Sequence, residues 1–65
     1  MDVEEFALKL KEFNEPLTLK EIAERLKLPE YEVGGLLFRL VKLGLVKSFI
    51  RENEKGELEA RYVVL

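Results

Sequence analysis

The sequence predicts an α+β fold, mainly α: a three-helix bundle with a helix-turn-helix, followed by a C-terminal β-hairpin. Three observations predict it. Apolar residues recur at three- and four-residue steps in three successive segments ahead of Gly44. Capping and breaking residues (Asp2, Thr18, Pro16, Pro29, Gly44) fall between those segments rather than inside them. Beyond Gly44 the pattern changes to two short runs rich in β-branched and aromatic residues, joined by turn residues.

Asp2 followed by Glu5 has the form of a capping pair, and Val3, Phe6, Ala7, Leu10 and Phe13 then mark a first helix ending near Asn14. Pro16 ends it, because proline disfavours helix at Glu15 and has no N–H to donate. Thr18 and Glu21 form a capping box for a second helix, whose stripe is Leu19, Ile22, Ala23 and Leu26 and which stops near Lys27, before Pro29. A third helix runs from about Glu30 to Leu43, with Val33, Leu36, Leu37, Leu40 and Leu43 on one broad face and Gly44 placed for a left-handed C-cap. "LVKSFIREN" and "ELEARYVVL" then read as strands, with Asn53 and Gly56 turning between them. Leu58, Ala60, Tyr62 and Val64 alternate with Glu59, Arg61, Val63 and Leu65, so the first set is expected to face the core. No repeat or linker interrupts residues 1–65, which are expected to form one domain.

Composition narrows the function. A chain of 65 residues buries only about 60% of its unfolded surface, so its core is small. Cysteine and histidine are absent, and there is one serine, Ser48, and one threonine, Thr18. The usual nucleophile–base pairs and zinc ligand sets cannot be assembled from such residues, and no catalytic role, metal or cofactor is expected. The first ten residues are acidic and amphipathic, and no apolar run approaches bilayer length, which predicts a soluble, cytoplasmic protein with no membrane partner. Charged residues make up 37% of the chain, rich in Glu and Lys, while Gln is missing and Asn occurs only twice, a balance of thermophilic, archaeal or bacterial character.

"TLKEIAERLKLPEYEVGGLLFRLVKLGLVKSF" resembles the winged helix-turn-helix family. Ala23 and Leu26 match the core of its second helix, Val33, Leu37 and Leu40 the core of its third, and Leu43-Gly44-Leu45-Val46 the signal that leads into the wing. The resemblance spans roughly Glu15 to Leu65. It implies that the start of the third helix enters the DNA major groove and that the hairpin, as the wing, touches the backbone. Glu30, Tyr31, Glu32, Gly34, Gly35, Phe38, Arg39 and Lys42 would then face the groove, and only Arg39 and Lys42 suit phosphates. Pro29 replaces the pattern's frequent Ser or Thr cap. These departures count against DNA binding and leave the fold untouched.

The charges point the same way. Thirteen acidic residues stand against eleven basic ones. Between Val33 and Arg51 every charge is positive: Arg39, Lys42, Lys47 and Arg51 form a local basic band, the DNA-contact candidates. Glu30 and Glu32 precede it, and Glu52, Glu54 and Glu57 surround the hairpin tip, so the parts nearest DNA would be repelled. The band is expected to be a solvated face paired with nearby glutamates.

Tyr31, Gly35, Phe38 and Lys42 fall on the outer side of the third helix, with Gly34 and Val41 at its edge. Each interior glycine costs about 1 kcal/mol relative to alanine, so two in succession invite a reason. Either a partner approaches closely between Tyr31 and Phe38, or another part of the same chain covers the strip. The protein-interaction candidates are therefore Tyr31, Gly34, Gly35, Phe38 and Val41. The apolar end of the last strand adds a surface for a second copy. The expected function is a stand-alone, non-enzymatic module for protein interaction or self-association, as a homodimer or with another protein, with little or weak DNA binding. The alternative is a dimeric DNA-binding transcriptional regulator or chromatin-associated factor.

Overall fold

A computed structural model of the chain describes residues 1–65. Its elements run α1 (Val3–Phe13), α2 (Leu19–Leu26), α3 (Glu30–Lys42), β1 (Val46–Glu52) and β2 (Leu58–Val64). Local chemistry sets their ends. The Asp2 carboxylate accepts from the Glu5 N–H at 2.8 Å to cap α1. At α2 the capping box is complete: the Glu21 N–H donates to Thr18 Oγ1, and the Thr18 N–H donates to Glu21 Oε1. Pro29 opens α3 with no side-chain cap. The last turn of α3 closes through Gly44 N–H to the Val41 carbonyl and Leu45 N–H to the Leu40 carbonyl, both 3.0 Å, with Gly44 at φ +77°. This is a Schellman closure, and glycine takes its left-handed position without a Cβ clash.

Ten apolar side chains form the buried core, with Phe6, Ile22, Val33, Leu37 and Leu40 from the three helices, Leu17 from the loop and Val46 from β1 among them. The hairpin is antiparallel, with Val46 opposite Val64 and Glu52 opposite Leu58. Leu17 and Tyr62 exchange both backbone hydrogen bonds, so a single residue between α1 and α2 adds a third, minimal strand along the far edge of β2. It locks the base of the hairpin onto the bundle.

Two apolar residues expected in the core lie outside it. Leu43 is 66% exposed, because it is the C-cap of α3, where the chain turns away toward β1. Leu58 is 75% exposed, because it pairs with Glu52 at the distal end of the hairpin, whereas the helices cover the sheet at Val46, Tyr62 and Val64. No helix is long and apolar enough to cross a membrane.

Candidate functional site

The 3.6-residue repeat of α3 sends Val33, Leu36, Leu37 and Leu40 into the core. The opposite side is a stripe of Tyr31, Gly35, Phe38 and Lys42. Tyr31 is 84% exposed and Phe38 65% exposed, and a Cβ built on Gly35 would meet nothing within 4 Å. Two large aromatic side chains therefore stand in solvent on either side of a bare stretch of backbone. The Lys42 ammonium lies 5.6 Å from the centre of the Phe38 ring, a cation–π contact one turn along the helix.

The two glycines separate. Gly34 turns toward α2, where a Cβ would lie 3.5 Å from Leu19 Cδ1, an ordinary contact distance, so α2 covers this position without requiring glycine there. Gly35 has no such neighbour and stays in the outer stripe. Val41, 39% exposed, borders that stripe rather than belonging to it.

The basic band departs from the expected pairing. The chain's ion pairs are Met1 amine–Glu32, Arg25–Glu15, Arg61–Glu21 and Arg61–Glu59, and none involves Arg39, Lys42, Lys47 or Arg51. All four are exposed. Among the acids of the chain, Glu32 accepts from the Met1 amine at 3.0 Å and thereby raises the amine's pKa above its ordinary value, and Arg61 holds both Glu21 and Glu59, while Glu30, Glu52, Glu54 and Glu57 make no ion pair. Arg39 and Lys42 belong to α3, and Lys47 and Arg51 to β1. Arg39 and Lys42 line a shallow recess with Val3 and Leu43. Lys47 and Arg51 share the outward face of β1, where Arg51 lies 5.5 Å from the centre of the Phe49 ring.

The hairpin tip is built by Asn53, whose Oδ1 accepts from the N–H groups of Lys55 and Glu57 at 2.9 Å each. Glu52, Glu54 and Glu57 project around it with no ion pair. Between the tip and the start of α2 lies an entirely polar cleft in which Lys20 and Glu21 face Arg51, Glu59 and Arg61. Glu21 is its anchor. The Thr18 N–H holds the Glu21 carboxyl below its ordinary value, partial burial opposes this, and the Thr18 hydroxyl and Arg61 reinforce it.

Sequence reasoning missed two features. Arg61 joins α2, the Pro16 carbonyl and Glu59, at 3.2, 3.1 and 2.8 Å, through partners as far as 45 residues away. Leu8, 66% exposed on α1, was detectable, since it is apolar and lies off the Val3–Phe6–Leu10–Phe13 stripe. Compared with models of known protein families and with curated protein sequences, the chain matches none.

Proposed function

We propose that this chain is a soluble, cytoplasmic, non-enzymatic interaction module on a winged-helix scaffold, and that it takes a protein partner on the outer stripe of α3. The scaffold reading is supported by the order of three helices and a hairpin, and by the Leu17–Tyr62 pairing that adds a short strand between α1 and α2 to the same sheet. One observation carries the docking reading. Tyr31 and Phe38, 84% and 65% exposed, flank Gly35, over which another backbone could lie without meeting a side chain. Aromatic anchors of this kind dominate interface energies, and their surroundings need only exclude water.

Comparing wild-type, Tyr31→Ala and Phe38→Ala proteins as baits tests this reading. A partner recovered by the wild type and purified should bind Phe38→Ala roughly 10- to 30-fold more weakly, with melting of the module unchanged. Equal binding by all three would overturn it.

A second reading, weak phosphate binding to duplex DNA, has its own support: Arg39, Lys42, Lys47 and Arg51 are exposed and free of ion pairs. It ranks second because the outer stripe of α3 carries two aromatics and a glycine where base-reading polar groups would be needed, and because the hairpin tip is acidic.

A further inference from the structure

The outer side of α1 presents Glu4, Leu8 and Lys11 at steps of four and three, which places them on one helical face. Leu8 is 66% exposed, and it stands over an apolar groove between α1 and the base of the hairpin, formed with Ala7, Leu45, Val64 and Leu65 and flanked by Glu4 and Lys11. Leu45 is itself 52% exposed. Neither Glu4 nor Lys11 takes part in any ion pair within the chain. An exposed leucine on an open apolar groove, with one free acid and one free base on the rim, calls for a partner of matching shape and inverse charge.

A second copy of this chain supplies that match. In a two-fold contact the same patch appears on both sides, so each residue must suit its own antiparallel image. If two α1 helices cross antiparallel in the register that sets Glu4 beside Lys11 of the second copy, symmetry repeats the pair at the other end. The same register sets Leu8 over Ala7 of the second copy, a large side chain on a small one, and again twice. A parallel arrangement would set Glu4 against Glu4 and Lys11 against Lys11.

We infer that the chain self-associates as a two-fold dimer through α1, with Leu8 inserted into the Ala7–Leu45–Val64 groove of the second copy and two Glu4–Lys11 pairs fixing the antiparallel direction. This surface is separate from the Tyr31–Phe38 stripe on α3, and the inference holds whether or not that stripe takes a partner. Sequence reasoning placed self-association at the end of the last strand; Val64 and Leu65 of that end line this groove, and Leu8 of α1 adds to them.

Sedimentation equilibrium on the wild type and charge variants tests it. The wild type should be a dimer at micromolar concentration. Leu8→Glu should be monomeric, and because Leu8 is outside the core its far-ultraviolet spectrum should be unchanged. Lys11→Glu should weaken the dimer roughly tenfold by turning two attractive pairs into repulsive ones, and Glu4→Lys combined with Lys11→Glu should restore it. A monomeric wild type, or a dimer that Leu8→Glu leaves intact, would overturn the inference. A double charge variant no tighter than Lys11→Glu alone would overturn the antiparallel register. Phe38→Ala should dimerise like the wild type, which separates this surface from the docking stripe.

Discussion

Arg61 and Glu21 meet at 3.2 Å where the second hairpin strand crosses the start of α2. The same Glu21 oxygen accepts from the Thr18 N–H at 2.9 Å, so one carboxylate closes the capping box and ties the hairpin to the bundle. Its pKa lies below the ordinary 4.5, chiefly through the Thr18 backbone hydrogen bond. The sign of the pH effect follows. Below 4.5 the unfolded chain takes up a proton at this site before the folded chain does, so stability falls as the pH drops through the folded-state pKa and is level above 4.5. Urea unfolding between pH 7 and pH 3 should show that fall, and Glu21→Gln should lower stability at pH 7 while flattening the acid limb. An equally steep acid limb in Glu21→Gln would assign the effect to other carboxylates.

The four cations of the basic band set the salt dependence expected of DNA binding through α3 and β1. Each phosphate neutralised contributes about 0.9 to the slope of log affinity against log salt, so Arg39, Lys42, Lys47 and Arg51 together allow roughly 3 to 4. We expect mixed-sequence duplex DNA to bind weakly at low salt and to be lost near physiological salt. Replacing Arg39 and Lys42 by Ala should lower the slope by about 2, whereas Glu54→Gln with Glu57→Gln should tighten binding by removing repulsion at the hairpin tip. No binding of folded protein at low salt would remove this reading. Nanomolar binding at physiological salt would place DNA ahead of a protein partner.

The caps and the Schellman closure were legible because they are local: Thr18 with Glu21, and Gly44 with Val41 and Leu40, lie within a turn of one another. Leu17 was not legible as a strand residue. It sits alone between Pro16 and Thr18, and its pairing with Tyr62 depends on the whole chain having folded. The basic band misled for a related reason. Its residue types were readable, but whether an acid reaches a base depends on distances between elements: Glu32 pairs with the Met1 amine, and Glu30, Glu52, Glu54 and Glu57 pair with no base. The helical wheel already set Gly35 on the outer side of α3 and Gly34 at its edge, but which element that edge meets was not legible. One helical step of about 100° aims one at Leu19 and the other at solvent.

Gly35 and Gly44 give a matched pair for the last prediction, because alanine at either position would meet nothing within 4 Å and the two substitutions should still act in opposite directions. Gly35 lies in the interior of α3, where alanine loses less conformational entropy on folding, so Gly35→Ala should stabilise the protein by about 0.5–1 kcal/mol. In a domain of this size that is roughly a 2–8 °C rise in melting temperature. Gly44 has φ +77°, where a Cβ crowds its own backbone, and Gly44→Ala should cost roughly 1–2 kcal/mol despite the open space around it. Gly34→Ala, with Leu19 Cδ1 at an ordinary contact distance of 3.5 Å, should behave like Gly35→Ala in melting. The two helical variants then diverge on the docking stripe. Only the methyl at Gly35 projects between Tyr31 and Phe38, so a partner held there should bind Gly35→Ala more weakly and Gly34→Ala unchanged. Thermal melting of the three variants, followed by titration of the purified partner, reads both effects. A Gly35→Ala protein that is more stable and binds its partner as well as wild type would leave the exposed glycine without a docking role.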